Sequence, residues 1–186
     1  MILDFGCGEG QRWNLNDGEV IGIDINRGRL TKAKAGVAAV RCDGRLLPFR
    51  HAVFSSVVSV SVLEHIKDYR RAILEIVRVL EIGGTCRIRL PVDNDPLFLV
   101  ARRVARSWQG DSIFSYFTSG HLLKEISVSL RVARVRYVSN SPITGVLAFF
   151  DRKPPRVLQK IDCFYGRICR TTHTFHWQVD IEAIKP

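Results

Sequence analysis

A chain of 186 residues suits one domain rather than two and can bury well over half the surface that it exposes when unfolded. With 46% hydrophobic and 25% charged residues and a mean hydropathy near zero, it is neither disordered nor fibrous in composition, and Arg, Asp or Lys breaks each apolar run short of the ~18 residues of a membrane span. The formal net charge of +10 favours anionic partners, whether nucleic acid, an acidic small molecule or an anionic membrane surface, without choosing among them.

Ile2–Phe5 is a short apolar strand that runs into a glycine-rich turn at Gly6, Gly8 and Gly10. The strand pattern begins at once, with no basic-then-apolar leader, so a cytoplasmic setting is expected. Val20–Ile25 reads as a second buried strand, Arg27–Ala35 as a helix and Val37–Arg41 as a third strand. Ser56–Val62, rich in valine, makes the fourth; Tyr69, Ile73, Ile76, Val77 and Leu80 then recur at helical spacing until Gly83 and Gly84 stop the helix. Thr85–Leu90 is the fifth strand, ended by Pro91. Strands alternating with helices at this spacing imply parallel pairing through right-handed crossovers, hence a three-layer α/β domain.

The second half is less regular. Leu97–Trp108 carries Arg102, Arg103 and Arg106 and no acid, the pattern of a basic amphipathic helix, and Ser119–Leu130 reads as a further helix with Ser119 as its N-cap. Val132–Val138 alternates apolar residues with Arg134 and Arg136 like a half-exposed strand. Arg156–Arg170 places Val157, Ile161, Phe164 and Ile168 on one helical stripe, and His173–Ile184 closes the sheet as a strand. Cys7, Cys42, Cys86, Cys163 and Cys169 are odd in number, scattered and without a C-x-x-C pair, which argues against a disulfide framework and against zinc; they read as buried thiols. His173 and His176 are too few and too similarly placed for a metal site.

Residues able to do chemistry gather where strands end, which in an open α/β sheet is where ligands bind. Asp4, Gly6, Gly8 and Gly10 spell D-x-G-x-G-x-G, and the glycines let the main chain turn tightly and approach a ligand; a side chain at Gly8 would fill that space. Asp24 closes the second strand, where a carboxylate accepts hydrogen bonds from both hydroxyls of a ribose. Asp43 and Gly44 follow the third strand, with Leu46, Leu47, Pro48 and Phe49 beyond them: an acceptor for an exocyclic adenine amine beside apolar neighbours for the ring. The run Ser59 to His65 breaks a buried strand into Leu63, Glu64 and His65. Together these residues describe a nucleoside site.

In this order ILDFGCGEG, GIDIN, RCDGRLLPF and VSVLEHI resemble the class I S-adenosylmethionine-dependent methyltransferases, with Met1–Pro91 covered well. The likeness is nearest to the small-molecule and lipid branch of the methyltransferase type 11 kind. It implies a Rossmann-like sandwich with strand order 3-2-1-4-5-7-6 and the last strand antiparallel, residues 1–91 forming a cofactor half and 92–186 a substrate-side half of one domain. It also implies S-adenosyl-L-methionine as cofactor and S-adenosyl-L-homocysteine as product: Asp4, Gly6, Gly8 and Gly10 around the methionine moiety, Asp24 with Ile25 at the ribose, Asp43 with Gly44 at the adenine, and Ser61 completing the set. The sequence departs from the family where Ser55 or Ser56 stands in place of a frequent Asp opening the fourth strand, and at Ser61, where the family often has an acidic or polar residue.

A sulfonium methyl is already activated and needs only an in-line nucleophile, so the expected reaction is transfer to an O, N or C atom of a small or lipid-like acceptor without a metal. His65 is the candidate base, and Trp108, Phe114, Tyr116 and Phe117 are candidates to line an apolar acceptor pocket under a lid formed by Leu97–Trp108. The two basic amphipathic stretches also offer peripheral membrane contact, against the plainer reading of helices packed on the sheet. An RNA-directed methyltransferase and a non-catalytic nucleoside-binding module stay as alternatives; no N-P-P-Y tetrad follows the fourth strand, which lowers the RNA reading. A nicotinamide-dependent oxidoreductase is disfavoured, because its G-x-G-x-x-G fingerprint is not the glycine spacing found here.

Overall fold

The computed structural model describes residues 1–10, 19–32, 38–92, 117–138 and 178–186. Seven strands form one sheet: β1 (Ile2–Phe5), β2 (Val20–Asp24), β3 (Ala38–Arg41), β4 (Phe54–Val60), β5 (Leu80–Pro91), β6 (Arg131–Val138) and β7 (Gln178–Ile184), in the order β3-β2-β1-β4-β5-β7-β6. The pairs among β1 to β5 are parallel, and β7 runs antiparallel to both β5 and β6. This is the order and the antiparallel closure expected of a Rossmann-like domain. The described helices are α1 (Arg27–Leu30), α2 (Tyr69–Val79) and α3 (Ser119–Ser127), with a single 3-10 turn at Leu63–His65. None of them is long and apolar enough to cross a membrane.

Parallel strands are covered on both faces and therefore read as apolar runs. In β1, Leu3 and Phe5 are fully buried, and Ile23 in β2 and Val57 in β4 join them in the core. Helix α2 buries Ala72, Ile73, Ile76 and Val79 at helical spacing against that core, and the Asp68 side chain caps its start by accepting from Arg71 N at 3.2 Å.

Packing overrides local signals at several ends. Leu80 does not continue α2: it is extended, fully buried and paired with Phe54, so it opens β5. Gly83 and Gly84 do not stop a helix but lie in the irregular stretch of β5 between Leu80 and Thr85, with Gly83 at φ +75°. The N-cap of α3 is Thr118, whose side chain accepts from His121 N at 3.3 Å; Ser119 is already helical, and the helix ends at Ser127 rather than Leu130. Strand β4 covers Phe54–Val60, because Ser61 turns to φ +52° and donates its N–H to Arg89 O at 2.8 Å. Cys7 and Cys86 are buried thiols as expected, whereas Cys42 is only half-buried. The predicted helices at 97–108 and 156–170, with Trp108, Phe114, Tyr116, Cys163, Cys169, His173 and His176, lie outside the described residues.

Strands β5 and β7 are joined by a buried charge as well as by their ladder. Asp180, 2% exposed, accepts from Arg87 Nε at 3.0 Å and Nη2 at 2.6 Å, and from Arg89 Nη2 at 2.8 Å. Burial pushes its carboxyl up, but the hydrogen bonds from the two guanidinium groups outweigh that and hold it below the usual carboxylate range. A carboxylate depressed in this way stabilises the fold fully above its unfolded pKa of about 4, and the contribution disappears as pH falls through the folded value. Asp180→Asn is expected to cost about 3 kcal/mol at neutral pH in urea denaturation and to flatten the loss of stability below about pH 4; an unchanged midpoint and acid limb would count against this role.

Candidate functional site

The carboxyl ends of β1, β2, β3 and β4 surround a cleft of about 640 Å³. Its floor is the glycine turn after β1. Gly6 N and Cys7 N both donate to Ile23 O, at 2.8 and 2.9 Å, which clips the turn to β2, and Gly10 N closes it on Cys7 O at 2.8 Å. Gly6, Gly8 and Gly10 have φ of +76°, +56° and +72°, a region that L side chains enter only at a cost. The first two glycines are needed for opposite reasons: a Cβ at Gly6 would strike the Val62 side chain, whereas a Cβ at Gly8 would meet nothing within 4 Å. Bare backbone therefore faces open space at Gly8.

Asp24 is fixed at the end of β2 by two main-chain donors, Gly8 N to Oδ2 at 3.0 Å and Asn26 N to Oδ1 at 2.8 Å. Ile25 follows it outside the strand and is 63% exposed at the cleft wall. Gly44 lies so close to Phe5 that a Cβ there would strike the ring edge. Beside it Asp43 is engaged by Arg45, whose Nη2 reaches Oδ2 at 2.6 Å; the hydrogen bonds from Arg45 hold the Asp43 carboxyl below its usual range. Ser61 and the exposed His65 complete the β4 side of the cleft.

Of the residues singled out from the sequence, Gly6, Gly8, Asp24, Ile25, Asp43, Gly44, Ser61 and His65 line one cleft. Asp4 and Gly10 do not: Asp4 is buried within β1 and Gly10 is buried at the far end of the turn. Leu47 and Phe49, expected beside a ring, pack into the core instead, and Leu46 stands exposed. Phe117, considered for an acceptor pocket, is a core residue edge-on to Tyr69 with ring centroids 4.8 Å apart. Burial first, then Asp4 and Asp24, pushes the Cys7 thiol up to about 12, and burial with Asp43 and Asp24 pushes Cys42 up to about 11, so both stay neutral and are poor nucleophiles.

Sequence reasoning missed Asn26, Arg29, Arg45 and Lys67 on the walls, and a support behind them. Glu75 of α2 accepts from Leu47 N at 2.8 Å, while Arg78 donates to Leu47 O at 3.0 Å, to Phe49 O at 2.8 Å and to Glu75 itself. This pair pins the loop that carries Asp43 and Gly44. The signal was present in the helix as an acid and a base three residues apart, which sits on one face, but spacing alone does not say that they turn toward a loop.

The methyltransferase domain family matches residues 3–88 of the chain. An uncharacterized protein of Methanocaldococcus jannaschii is 29% identical over 163 residues, 87% of this chain and 66% of its own length. A probable tRNA methyltransferase 9B of Homo sapiens is 34% identical over 93 residues, 47% of this chain and 20% of its own length. The chain thus spans just under two thirds of the first relative and a fifth of the second. Among solved structures, an S-adenosylmethionine-dependent methyltransferase from Mesorhizobium loti aligns with a TM-score of 0.69 over 99% of this chain and 90% of that one, at 17% identity, a likeness of fold. The strand order, the glycine turn opening on a cleft edged with aspartates and the match over residues 3–88 agree: residues 3–88 carry the methyltransferase domain pattern, on a fold like that of an S-adenosylmethionine-dependent methyltransferase.

Proposed function

We propose that this chain is a single-domain enzyme that binds S-adenosylmethionine with residues 1–91 and moves its methyl group to an O, N or C atom of a small or lipid-like acceptor held by residues 92–186. The observation that carries the reading is the open backbone at Gly8 hydrogen-bonded to the Asp24 carboxylate at 3.0 Å, a main-chain wall and a ribose acceptor fixed relative to each other. Asp43 provides an acceptor for an adenine amine and Ile25 an apolar wall for the ring, while Gly44 lets the loop pack on Phe5; Asp4 and Gly10 act by shaping the turn rather than by touch. When bound, the cofactor supplies an activated sulfonium methyl. The protein then has to orient a nucleophile, exclude water and, for an acceptor that must lose a proton, take that proton at His65 on the β4 rim.

A second reading, an RNA acceptor, is favoured by the net charge of +10 and by the similarity to a protein named a tRNA methyltransferase. Incubating the protein with cell extract and methyl-labelled cofactor separates the two, since label in RNase-sensitive material supports RNA and label in an organic-soluble or small-molecule fraction supports the first reading.

Gly8→Arg is expected to abolish binding of S-adenosylhomocysteine by calorimetry with the circular dichroism of the fold retained, since the new side chain enters the cleft and the left-handed backbone costs only about 1–2 kcal/mol. Asp24→Ala should weaken the same binding by about 2 kcal/mol, and the parent protein should not bind NADH; tight NADH binding would replace the methyltransferase reading by an oxidoreductase one. For His65→Ala, turnover is expected to fall about 100-fold with cofactor affinity kept within about twofold. Equal turnover would remove His65 from the chemistry.

A further inference from the structure

An ionised carboxylate offers about four lone-pair positions, and at Asp43 three N–H groups of one residue take up most of them, the single Nε hydrogen being shared between the two oxygens. Oδ1 accepts from Arg45 N at 2.9 Å and from Arg45 Nε at 3.0 Å; Oδ2 accepts from Arg45 Nε at 3.1 Å and from Arg45 Nη2 at 2.6 Å. Both residues line the cleft, and their side chains are 35% and 46% exposed, so the pair sits on the wall that a ligand would touch. The main-chain bond from Arg45 N belongs to a tight turn, closed by Leu46 N donating to Asp43 O at 3.0 Å, and has no freedom to leave. The guanidinium does: it ends a long, half-exposed side chain whose charge pair is screened by solvent.

We infer that Arg45 is the residue that sets the affinity and base selectivity of the nucleoside site, because its guanidinium holds the acceptor positions of Asp43 that an exocyclic amine needs and must swing out before such a base is read. This rests on the nucleoside reading of the cleft. With Arg45 in place the wall presents guanidinium donors, which suit a 6-oxo base; with Arg45 displaced it presents carboxylate acceptors, which suit a 6-amino base. Arg45 thus competes with an adenine amine for Asp43 while tolerating a hypoxanthine carbonyl. The competition weakens as salt screens the pair, so affinity for a 6-amino ligand rises with ionic strength only while Arg45 is present.

The test is calorimetry on the full chain with S-adenosylhomocysteine and its deaminated analogue S-inosylhomocysteine, comparing wild type, Arg45→Ala and Arg45→Gln at low and high salt. Arg45→Ala is expected to bind the adenosyl compound about three- to ten-fold tighter than wild type, without a matching gain for the inosyl compound. Its salt response should also be flatter, and the glutamine variant should show the same direction if the alanine variant folds poorly. Adenosyl binding that is unchanged or weaker in both variants overturns the competition and leaves the nucleoside reading standing. Absence of binding to wild type and variants alike overturns both. Equal gains for the two ligands overturn the selectivity and mark Arg45 as a mere obstruction of the cleft.

Discussion

The contact between Gly6 and Val62 is the constraint on which the cleft depends. The chain leaving β1 must pass against the residue that leaves β4, and it passes so closely that only a residue without a Cβ fits. That packing holds together the ends of two neighbouring parallel strands, whose ladder pairs Phe5 with Ser59. Beyond that contact the turn presents Gly8 to the cleft, where its N–H meets the Asp24 carboxylate. One turn thus joins a packed glycine at Gly6 to an open one at Gly8.

A cleft built from strand ends also needs its loops held, because a loop has no ladder of its own. On the β2 side the Asp24 carboxylate does this by taking N–H groups from two different segments, Gly8 and Asn26. On the β3 side the same role falls to α2, where Glu75 and Arg78 together satisfy the N–H of Leu47 and the carbonyls of Leu47 and Phe49. Glu75 is buried, and the hydrogen bonds from Arg78 outweigh the burial and hold its carboxyl below the usual range. A buried acid with a paired base and a main-chain donor is a stable anchor, whereas either member left alone would be a buried charge. Helix α2 thus contributes to the site without lining it.

How much of this was legible in the sequence depends on the range of the interaction that decides each feature. The strands of the first half and the glycine turn were readable, because apolar periodicity and left-handed glycines are local properties, whereas the strand order came only from the family resemblance. Element ends were read less well: Leu80 looks like one more turn of helix until Phe54 pairs with it, and Ser119 looks like a cap until Thr118 takes that role. Such choices are made by contacts across the chain rather than by propensity. In the cleft, Asp24 and Asp43 were found because acids at strand ends stand out. Leu47 and Phe49 were misplaced, because an apolar residue after such an acid suits a ligand ring and the core equally, and only the Glu75 and Arg78 anchor decides for the core. Arg45 carried no sequence signal, since its effect lies in where its side chain turns.

The family match ends at residue 88, inside β5, and that boundary has a physical meaning. Up to β5 every strand runs parallel to its neighbour and delivers its carboxyl end to the same edge, so a ligand common to many enzymes can be held by a common set of positions. Beyond β5 the sheet is closed by antiparallel pairing to β7, and β6 and β7 meet through Arg134 and Glu182 at 3.9 Å as well as through their ladder. An antiparallel closure asks only for compatible register and charge, not for a shared ligand. The described residues after β5 therefore lie apart from the strand ends that line the cleft.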